Sequence, residues 1–272
     1  MMEMLSYEFM QRAFLAGLIV ALLCPLVGMF VVIRRQSLLG DGLGHIAFAG
    51  VTGSALLGIN PAIGAVILTL AAAGGIEIVR RKHLQYGDMG LALFFYGGLA
   101  LAVVCSSLAR IPNTSLMSFL FGSILTVNWA NIGAIAIIAL IVILLLGKFH
   151  TPLLLASFQP DIAHTRGIRL ERMNMFFALL VAAVVVIGMS IVGILLVSAL
   201  MIVPVAAAHL WRRGFKKTAA IAVGYSLSMV LCGLWGAYAW DLAPGGTIVL
   251  TGLALYTLTA VLAPFLHPRN GA

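Results

Sequence analysis

Long, continuous apolar runs alternate with short polar segments along the whole chain. Most runs are about 20 residues long, the length at which an α-helix crosses a bilayer. They lack the period-two alternation that marks the strands of a membrane barrel. The pattern therefore predicts an all-α fold, a polytopic transmembrane helical bundle. The runs cover residues 13–33, 37–58, 61–79, 89–109, 131–148, 173–192, 193–210, 218–239 and 246–266.

Two regions depart from this simple pattern. The runs 173–192 and 193–210 together are too short for two complete spans and a turn, and they are interrupted at IGMSIVG. We expect one full span there, followed by a half-helix. The short apolar stretch 116–127, LMSFLFGSILTV, is expected to be re-entrant or to lie at the membrane interface. The chain thus predicts about eight spans plus broken or half helices, in a single transmembrane domain over residues 1–272.

Composition agrees with a lipid environment. The chain is 62% hydrophobic and 9% charged, whereas soluble domains have about 25% charged residues. The net charge of +8 does not indicate a nucleic-acid partner, because the basic clusters are short and have no interleaved aromatic residues for base stacking. They lie at the ends of apolar runs, as the positive-inside rule predicts for cytoplasmic loops.

The basic residues also predict the orientation of the chain. If the first run starts outside, 14 of the 16 lysines and arginines lie in the cytoplasm, and only Arg12 and Arg110 face outside. The inverse orientation would reverse this bias, so the first is preferred.

One apolar run contains two costly polar side chains. Asp41 and His45 are four residues apart in QSLLGDGLGHIAFAGVTGSALLG, residues 36–58, and this spacing places them on one face of a helix. A carboxylate inside the bilayer is unfavourable unless it is compensated. A carboxylate oxygen and an imidazole nitrogen that converge on a divalent cation would provide this compensation, and the pair suits zinc, manganese or ferrous iron.

Other interpretations of this pair remain open at the level of sequence. Asp41 and His45 would also suit a proton relay. Alternatively, Asp41 caps a helix that starts near Gly40, and His45 only donates an interhelical hydrogen bond.

The chain contains no phosphate-binding loop motif of the G-x-x-x-x-G-K-[ST] type and no H-E-x-x-H motif. We therefore expect no enzymatic activity from this chain and no ATP hydrolysis by it alone.

Five motifs, in order along nearly the whole chain, resemble zinc/manganese-type ABC importer permeases, the ABC-3 family. They are CPLVGMFVVIRRQSLLGDGLGHIAFAGV (24–51), FLFGSILTV (119–127), QPDIAHTRGI (159–168), VGILLVSALMIVPVAAAHL (192–210) and PGGTIVL (244–250). The D-x-x-x-H motif of the family matches Asp41 and His45. This chain has Gly44 where family members often have Ser.

The resemblance implies a multi-pass permease of the bacterial plasma membrane that forms a homodimer with a central ion path. It also implies a separate ATP-binding cassette subunit that uses the ATP, and an extracellular or periplasmic metal-binding protein that delivers the ion. No permanently bound cofactor is expected. The transported ion is predicted to be Zn²⁺ or Mn²⁺, with zinc favoured, and Asp41 and His45 are the predicted metal ligands.

A basic segment after residue 204 is the predicted ATPase-docking element. We expect a short helix at about 205–217 that fits a groove on the partner, and QPDIAHTRGIRLER (159–172) flanks the same contact. The docking residues are Val205, Ala206, Ala207, Ala208, His209, Leu210, Trp211, Arg212, Arg213, Gly214, Phe215, Lys216 and Lys217.

Two alternative functions remain. A related permease would import a metal chelate or cobalamin, but such a ligand needs a wide cavity rather than an inward Asp/His pair. A proton-coupled secondary metal transporter would work without an ATPase, and the inverted repeats that would favour it are not visible in the sequence.

Overall fold

The computed structural model describes residues 8–82, 87–122 and 128–266. These residues form twelve α-helices and no strand, which confirms the predicted all-helical fold. The helices are α1 (Glu8–Ile33), α2 (Leu38–Leu57), α3 (Pro61–Lys82), α4 (Gly87–Leu108), α5 (Asn113–Phe121), α6 (Trp129–Lys148), α7 (His150–Phe158), α8 (Pro160–Thr165), α9 (Leu170–Val192), α10 (Ile194–His209), α11 (Phe215–Trp240) and α12 (Pro244–Leu266).

Seven helices in the described part of the chain are long and apolar enough to cross a membrane: α1, α3, α4, α6, α9, α11 and α12. Helix α2 has 20 residues, which gives about 30 Å of helix, the thickness of a bilayer core. It is less apolar than the other seven because it carries Asp41, His45 and several glycines. With α2, the described chain has eight helices of spanning length, in agreement with the sequence.

Helix α2 lies inside the bundle. It packs along α3 and α4 and also contacts α9 and α10. The apolar helices α3 and α4 beside it expose many large side chains, including Ile67 and Leu93. The least apolar long helix is therefore shielded by neighbours whose outer faces suit lipid.

The predicted break between α9 and α10 is confirmed. Helix α9 ends at Val192, and α10 has only 16 residues. Gly193 separates them with φ 84° and ψ 158°, a conformation that is essentially restricted to glycine. The predicted span followed by a half-helix is thus present.

The short stretch 116–127 falls partly in α5. This nine-residue helix ends at Phe121, and the backbone of its C-cap residue Gly122 lies against the Val192–Gly193 break. Residues 123–127, the second part of the motif FLFGSILTV, lie outside the described part of the chain.

Several helix ends meet at one end of the bundle, which we call the basic end. Arg34, just after α1, donates hydrogen bonds to Ser157 of α7 (2.9 Å) and Asn174 of α9 (2.9 Å). Arg81 of α3 pairs with Glu171 of α9 at 2.7 Å. These contacts bring together segments that the sequence assigns to the cytoplasm.

The predicted short helix at 205–217 is wrong. Helix α10 continues to His209, residues 210–214 form a turn, and α11 begins at Phe215. The basic residues interrupt the apolar pattern because they occupy this turn and the first turn of α11. The short helices at the basic end are instead α7 and α8.

Candidate metal-ion path

Asp41 lies in the first turn of α2. The helix begins at Leu38, and Ser37 occupies the N-cap position. The interpretation in which Asp41 caps a helix starting near Gly40 is therefore wrong. A carboxylate in the first turn is stabilised by the positive end of the helix dipole, typically by about 0.3–1 kcal/mol. This offsets only a part of the cost of a carboxylate in the membrane.

The Asp41 and His45 side chains form the only opening in a buried stretch of α2. From Leu39 to Thr52, every residue is buried except these two, which are half-buried. Because they are four residues apart, they lie one above the other along one stripe of the helix. Between Leu39 and Thr52 the helix is thus enclosed except at its two ionisable residues.

The neighbouring faces of α2 are covered by other helices. On one side, Gly42 lies against α4 near Phe95, and on the other side, Gly44 lies against Ile194 of α10. The stripe of Asp41 and His45 runs between these two contacts. Its exposure therefore comes from a gap between α4 and α10.

Packing, not hydrogen bonding, holds the imidazole of His45. Its ring lies edge-on to Phe95, with centroids 4.8 Å apart and an interplanar angle of 87°. Its Nδ1 atom is buried and has no hydrogen-bond partner in the described part of the chain. A buried ring nitrogen without a partner is unfavourable, and a bound cation would remove this penalty if the nitrogen is its ligand.

Gly98 of α4 makes this close packing possible. A Cβ at Gly98 would lie 2.6 Å from Cγ1 of Ile46 and 3.2 Å from the carbonyl carbon of His45. The absence of a side chain therefore lets the α4 backbone approach α2 at the level of the imidazole.

The Asp41 carboxylate forms no ion pair with any residue that the structure describes. The three ion pairs among the described residues are Arg12–Glu8, Arg80–Glu77 and Arg81–Glu171. A structural ion pair therefore does not explain why a carboxylate is present at this position.

The described residues of one chain supply an incomplete metal shell. No group of three His, Cys, Asp or Glu side chains within them could hold a metal ion. Gly44, one residue before His45, has no side chain to offer as a ligand, and a Cβ there would meet Ile194 at 2.5 Å. Asp41 and His45 can thus replace only a part of the hydration shell of a cation.

The predicted docking residues differ in exposure, and Ala206, Leu210, Trp211 and Phe215 are half-buried. Val205, Ala207 and Ala208 are buried in α10 and cannot contact a partner. His209, Arg212, Arg213, Gly214, Lys216 and Lys217 are exposed. Phe215, between these last residues, contacts the first residue of α7, with the rings of Phe215 and His150 5.5 Å apart. This contact places the 209–217 segment next to the start of α7.

A polar cluster around Arg34 at the basic end was not predicted from the sequence. Arg34 bonds to Ser157 and Asn174, and its guanidinium lies 4.5 Å from the ring centroid of Phe177. The available signal was Asn174, an amide inside the apolar run 173–192. Its partner could not be read from the sequence, because the two residues are 140 positions apart.

A spanning helix whose stretch from Leu39 to Thr52 is open only at a carboxylate and an imidazole is a candidate ion path, because ionisable groups inside a membrane mark substrate and ion pathways. The comparisons with known proteins agree with a role in transport. The model of the ABC 3 transport family matches residues 6–263. The chain belongs to this family and is a multi-pass membrane subunit of the bacterial plasma membrane, without catalytic activity of its own.

Three similar proteins illustrate the relationship. The manganese transport system membrane protein MntC of Listeria monocytogenes is 32% identical over 96% of this chain and 93% of its own length. The manganese import system permease protein ScaB of Streptococcus gordonii is 30% identical over 95% of this chain and 93% of its own. The structure of PsaBC from Streptococcus pneumoniae in complex with Fab superposes with a TM-score of 0.84 at 27% identity, covering 98% of this chain and 94% of that one.

Proposed function

We propose that this chain is the permease subunit of an ATP-driven importer and that its substrate is Mn²⁺. The observation that carries the proposal is the stripe on α2, where Asp41 and His45 are the only residues between Leu39 and Thr52 that are not buried. A cation that moves along this stripe meets a carboxylate oxygen and an imidazole nitrogen one helical turn apart.

The choice of manganese replaces the zinc preference of the sequence analysis. The relatives MntC and ScaB are named as manganese proteins, and no zinc protein is among the similar proteins described above. The ligand chemistry also suits manganese, since carboxylate and water are favourable ligands for Mn²⁺. Structural zinc sites, by contrast, are closed by four protein ligands.

The open stripe also favours a homodimer. One chain leaves Asp41 and His45 half-buried in a gap between α4 and α10. A second copy facing this gap would enclose the stripe and double the ligand set to two carboxylates and two imidazoles. The ion would then pass between the subunits, shielded from lipid.

For the ATPase we propose a docking surface formed by α7, α8 and the exposed residues of 209–217. Helix α8 is exposed apart from Ala163, so it contributes little to the core of this chain. Trp211 donates a hydrogen bond to Tyr225 of α11 (3.1 Å), and the Tyr225 hydroxyl shares a hydrogen bond with Thr259 of α12 (2.6 Å). A movement of the 210–214 turn would therefore be transmitted to two spanning helices.

The incomplete ligand set fits transport better than storage. A transported ion must bind strongly enough to enter and weakly enough to leave. An extracellular metal-binding protein would deliver the ion, Asp41 and neutral His45 would replace a part of its hydration shell, and ATP binding by the partner would shift the helices and open the inner side.

Metal uptake by the importer reconstituted with its ATPase in liposomes tests this function. We expect ATP-dependent uptake of Mn²⁺ by the wild type, with zinc uptake much slower. Asp41→Asn and His45→Ala should each lower manganese uptake at least ten-fold, because each removes one of the two ligands.

The control variant is Asp241→Asn. It removes an exposed carboxylate from the turn after α11, and Asn tolerates the positive φ of 52° at that position. Size-exclusion chromatography checks that every variant still assembles with the ATPase. Wild-type uptake rates in assembled Asp41→Asn and His45→Ala complexes would refute the proposal.

A further inference from the structure

A cavity of about 700 Å³ lies at the basic end, between the last turns of α3 and the first turns of α9. It is separate from the stripe of Asp41 and His45, and its lining combines charged and apolar side chains. The charged and polar lining residues are Glu77, Arg80, Arg81, Glu171, Arg172 and Asn174, and the apolar ones are Ile78, Leu170, Met175, Phe176 and Leu179.

The charged side chains leave an excess of positive charge at this cavity. Arg80 and Arg81 are paired with Glu77 (3.2 Å) and Glu171 (2.7 Å). Arg172 is exposed and takes no part in the three ion pairs of the described chain. The lining therefore contains one arginine, Arg172, whose guanidinium is not paired with a carboxylate of the lining.

A further positive charge lies directly behind the cavity. The Nη1 atom of Arg34 is 2.9 Å from the side-chain oxygen of Asn174, which lines the cavity. The Nη2 atom of Arg34 is buried and has no hydrogen-bond partner in the described residues. Burial, together with the nearby Arg80 charge, lowers the pKa of Arg34 to about 10, so this residue remains protonated at neutral pH.

The apolar lining continues the cavity toward the middle of the membrane. Along α9, Glu171 and Arg172 belong to the first turn, whereas Leu179 lies two turns further into the span. Ile78 of α3 is 52% exposed and Leu179 is 37% exposed. The cavity is thus charged at the end of the bundle and apolar toward the membrane interior, which is the polarity of a phospholipid.

We propose that this cavity binds the phosphate headgroup of an anionic phospholipid of the inner leaflet, with Arg172 as the main headgroup contact and Ile78 and Leu179 against the acyl chain. Basic pockets between transmembrane helices on the cytoplasmic side are suited to such headgroups. The bound lipid would join the end of α3 to the start of α9.

Native mass spectrometry of the purified full-length chain tests this site. The protein in non-ionic detergent is mixed with phosphatidylglycerol, with phosphatidylcholine of the same acyl chains, or with inorganic phosphate. We expect one retained phosphatidylglycerol per chain, several-fold less phosphatidylcholine, and no binding of inorganic phosphate, because phosphate alone gains nothing from the apolar wall.

Variants of two neighbouring arginines separate the site from general surface charge. Arg172→Gln should lower phosphatidylglycerol occupancy about five-fold, the effect of one basic residue near a membrane, and Arg172→Lys should retain most of it. Arg169→Gln removes an exposed charge one turn earlier that does not line the cavity, so it should leave occupancy unchanged.

Several outcomes would overturn the proposal. The first is equal retention of phosphatidylglycerol and phosphatidylcholine by the wild type. The second is an equal loss of bound phosphatidylglycerol in Arg172→Gln and Arg169→Gln. The third is binding of inorganic phosphate in the absence of lipid. An Arg172→Gln variant that keeps its lipid but no longer assembles with the ATPase would also overturn it, since the cavity would then serve a protein partner.

Discussion

At the residue scale, the central feature is a carboxylate and an imidazole that the fold exposes rather than pairs. Their neighbours on α2 are buried, while Asp41 and His45 open into the gap between α4 and α10. A carboxylate at the centre of a spanning helix costs about 2.5–3.5 kcal/mol on insertion scales, and Asp41, in the first turn of α2, bears a part of this cost. The N-terminal helix dipole offsets about 0.3–1 kcal/mol of it. Under the proposed function, a passing cation would compensate the rest.

Alanine substitutions at two neighbouring glycines of α4 test how closely this helix packs against α2 at His45. A Cβ at Gly98 would overlap Ile46, whereas a Cβ at Gly97 meets no atom within 4 Å. We expect Gly98→Ala to lower the thermal unfolding temperature in detergent, because overpacking costs about 1–3 kcal/mol, and to slow metal uptake.

Gly97→Ala is the matched control in the same helix, and it should leave both the unfolding temperature and the uptake rate near those of the wild type. Equal unfolding temperatures for the two variants would mean that α4 does not approach α2 as closely as described here.

The sequence was sufficient to find Asp41 and His45 but not their surroundings. They stand out because few other ionisable residues lie inside an apolar run. The roles of Phe95 and Gly98 depend on how α4 packs on α2, which a linear pattern does not contain. The same holds for Arg34, whose partners Ser157 and Asn174 are 123 and 140 positions away.

At the scale of elements, the positions of helices were predicted correctly where a long apolar run defines the helix or where a glycine breaks it. The break at Gly193 was predicted, because two runs were too short to be two spans. The helix expected at 205–217 was wrong, because a basic cluster marks a membrane boundary without specifying whether a new helix starts there. Burial of Val205, Ala207 and Ala208 follows from the packing of α10, which composition does not reveal.

The hydrogen bonds of one side chain, Arg34, join α1 to α7 and α9. Arg34→Gln removes the guanidinium that bonds to Ser157 and Asn174. Since leaving partly buried polar groups without partners costs about 1–3 kcal/mol, we expect a lower unfolding temperature by calorimetry in detergent.

Arg35→Gln serves as the control, because Arg35 is exposed and adjacent in sequence. It should unfold at the wild-type temperature. If Arg34→Gln also unfolds at that temperature, the hydrogen bonds of Arg34 do not hold these helices together.

At the scale of the whole molecule, the topology requires α2 to cross the membrane. Arg34 after α1 and Arg81 near the end of α3 both contact α9, at Asn174 and at Glu171. The ends of α1 and α3 therefore lie on the same side, and α2 must carry the chain across so that α3 can return. Hydropathy alone excludes α2 from the seven apolar spans, because it carries Asp41, His45 and several glycines.

Cysteine labelling in intact cells tests this crossing. In a background with Cys24, Cys105 and Cys232 replaced by alanine, a membrane-impermeant maleimide should label Asn60→Cys, in the α2–α3 connection. It should label Arg35→Cys and Gln159→Cys only after the cells are permeabilised. Labelling of Arg35→Cys and Asn60→Cys from the same side would contradict the topology.

The most direct test of the ion path is whether the nitrogen of His45 binds the metal. Pulsed electron paramagnetic resonance of Mn²⁺ bound to the assembled importer detects a directly coordinated nitrogen, and [¹⁵N]histidine labelling distinguishes imidazole from backbone nitrogen. We expect an imidazole coupling in the wild type that changes frequency on labelling and disappears in His45→Ala. An unchanged imidazole coupling in His45→Ala, or no coupling in the wild type, would contradict the proposed path.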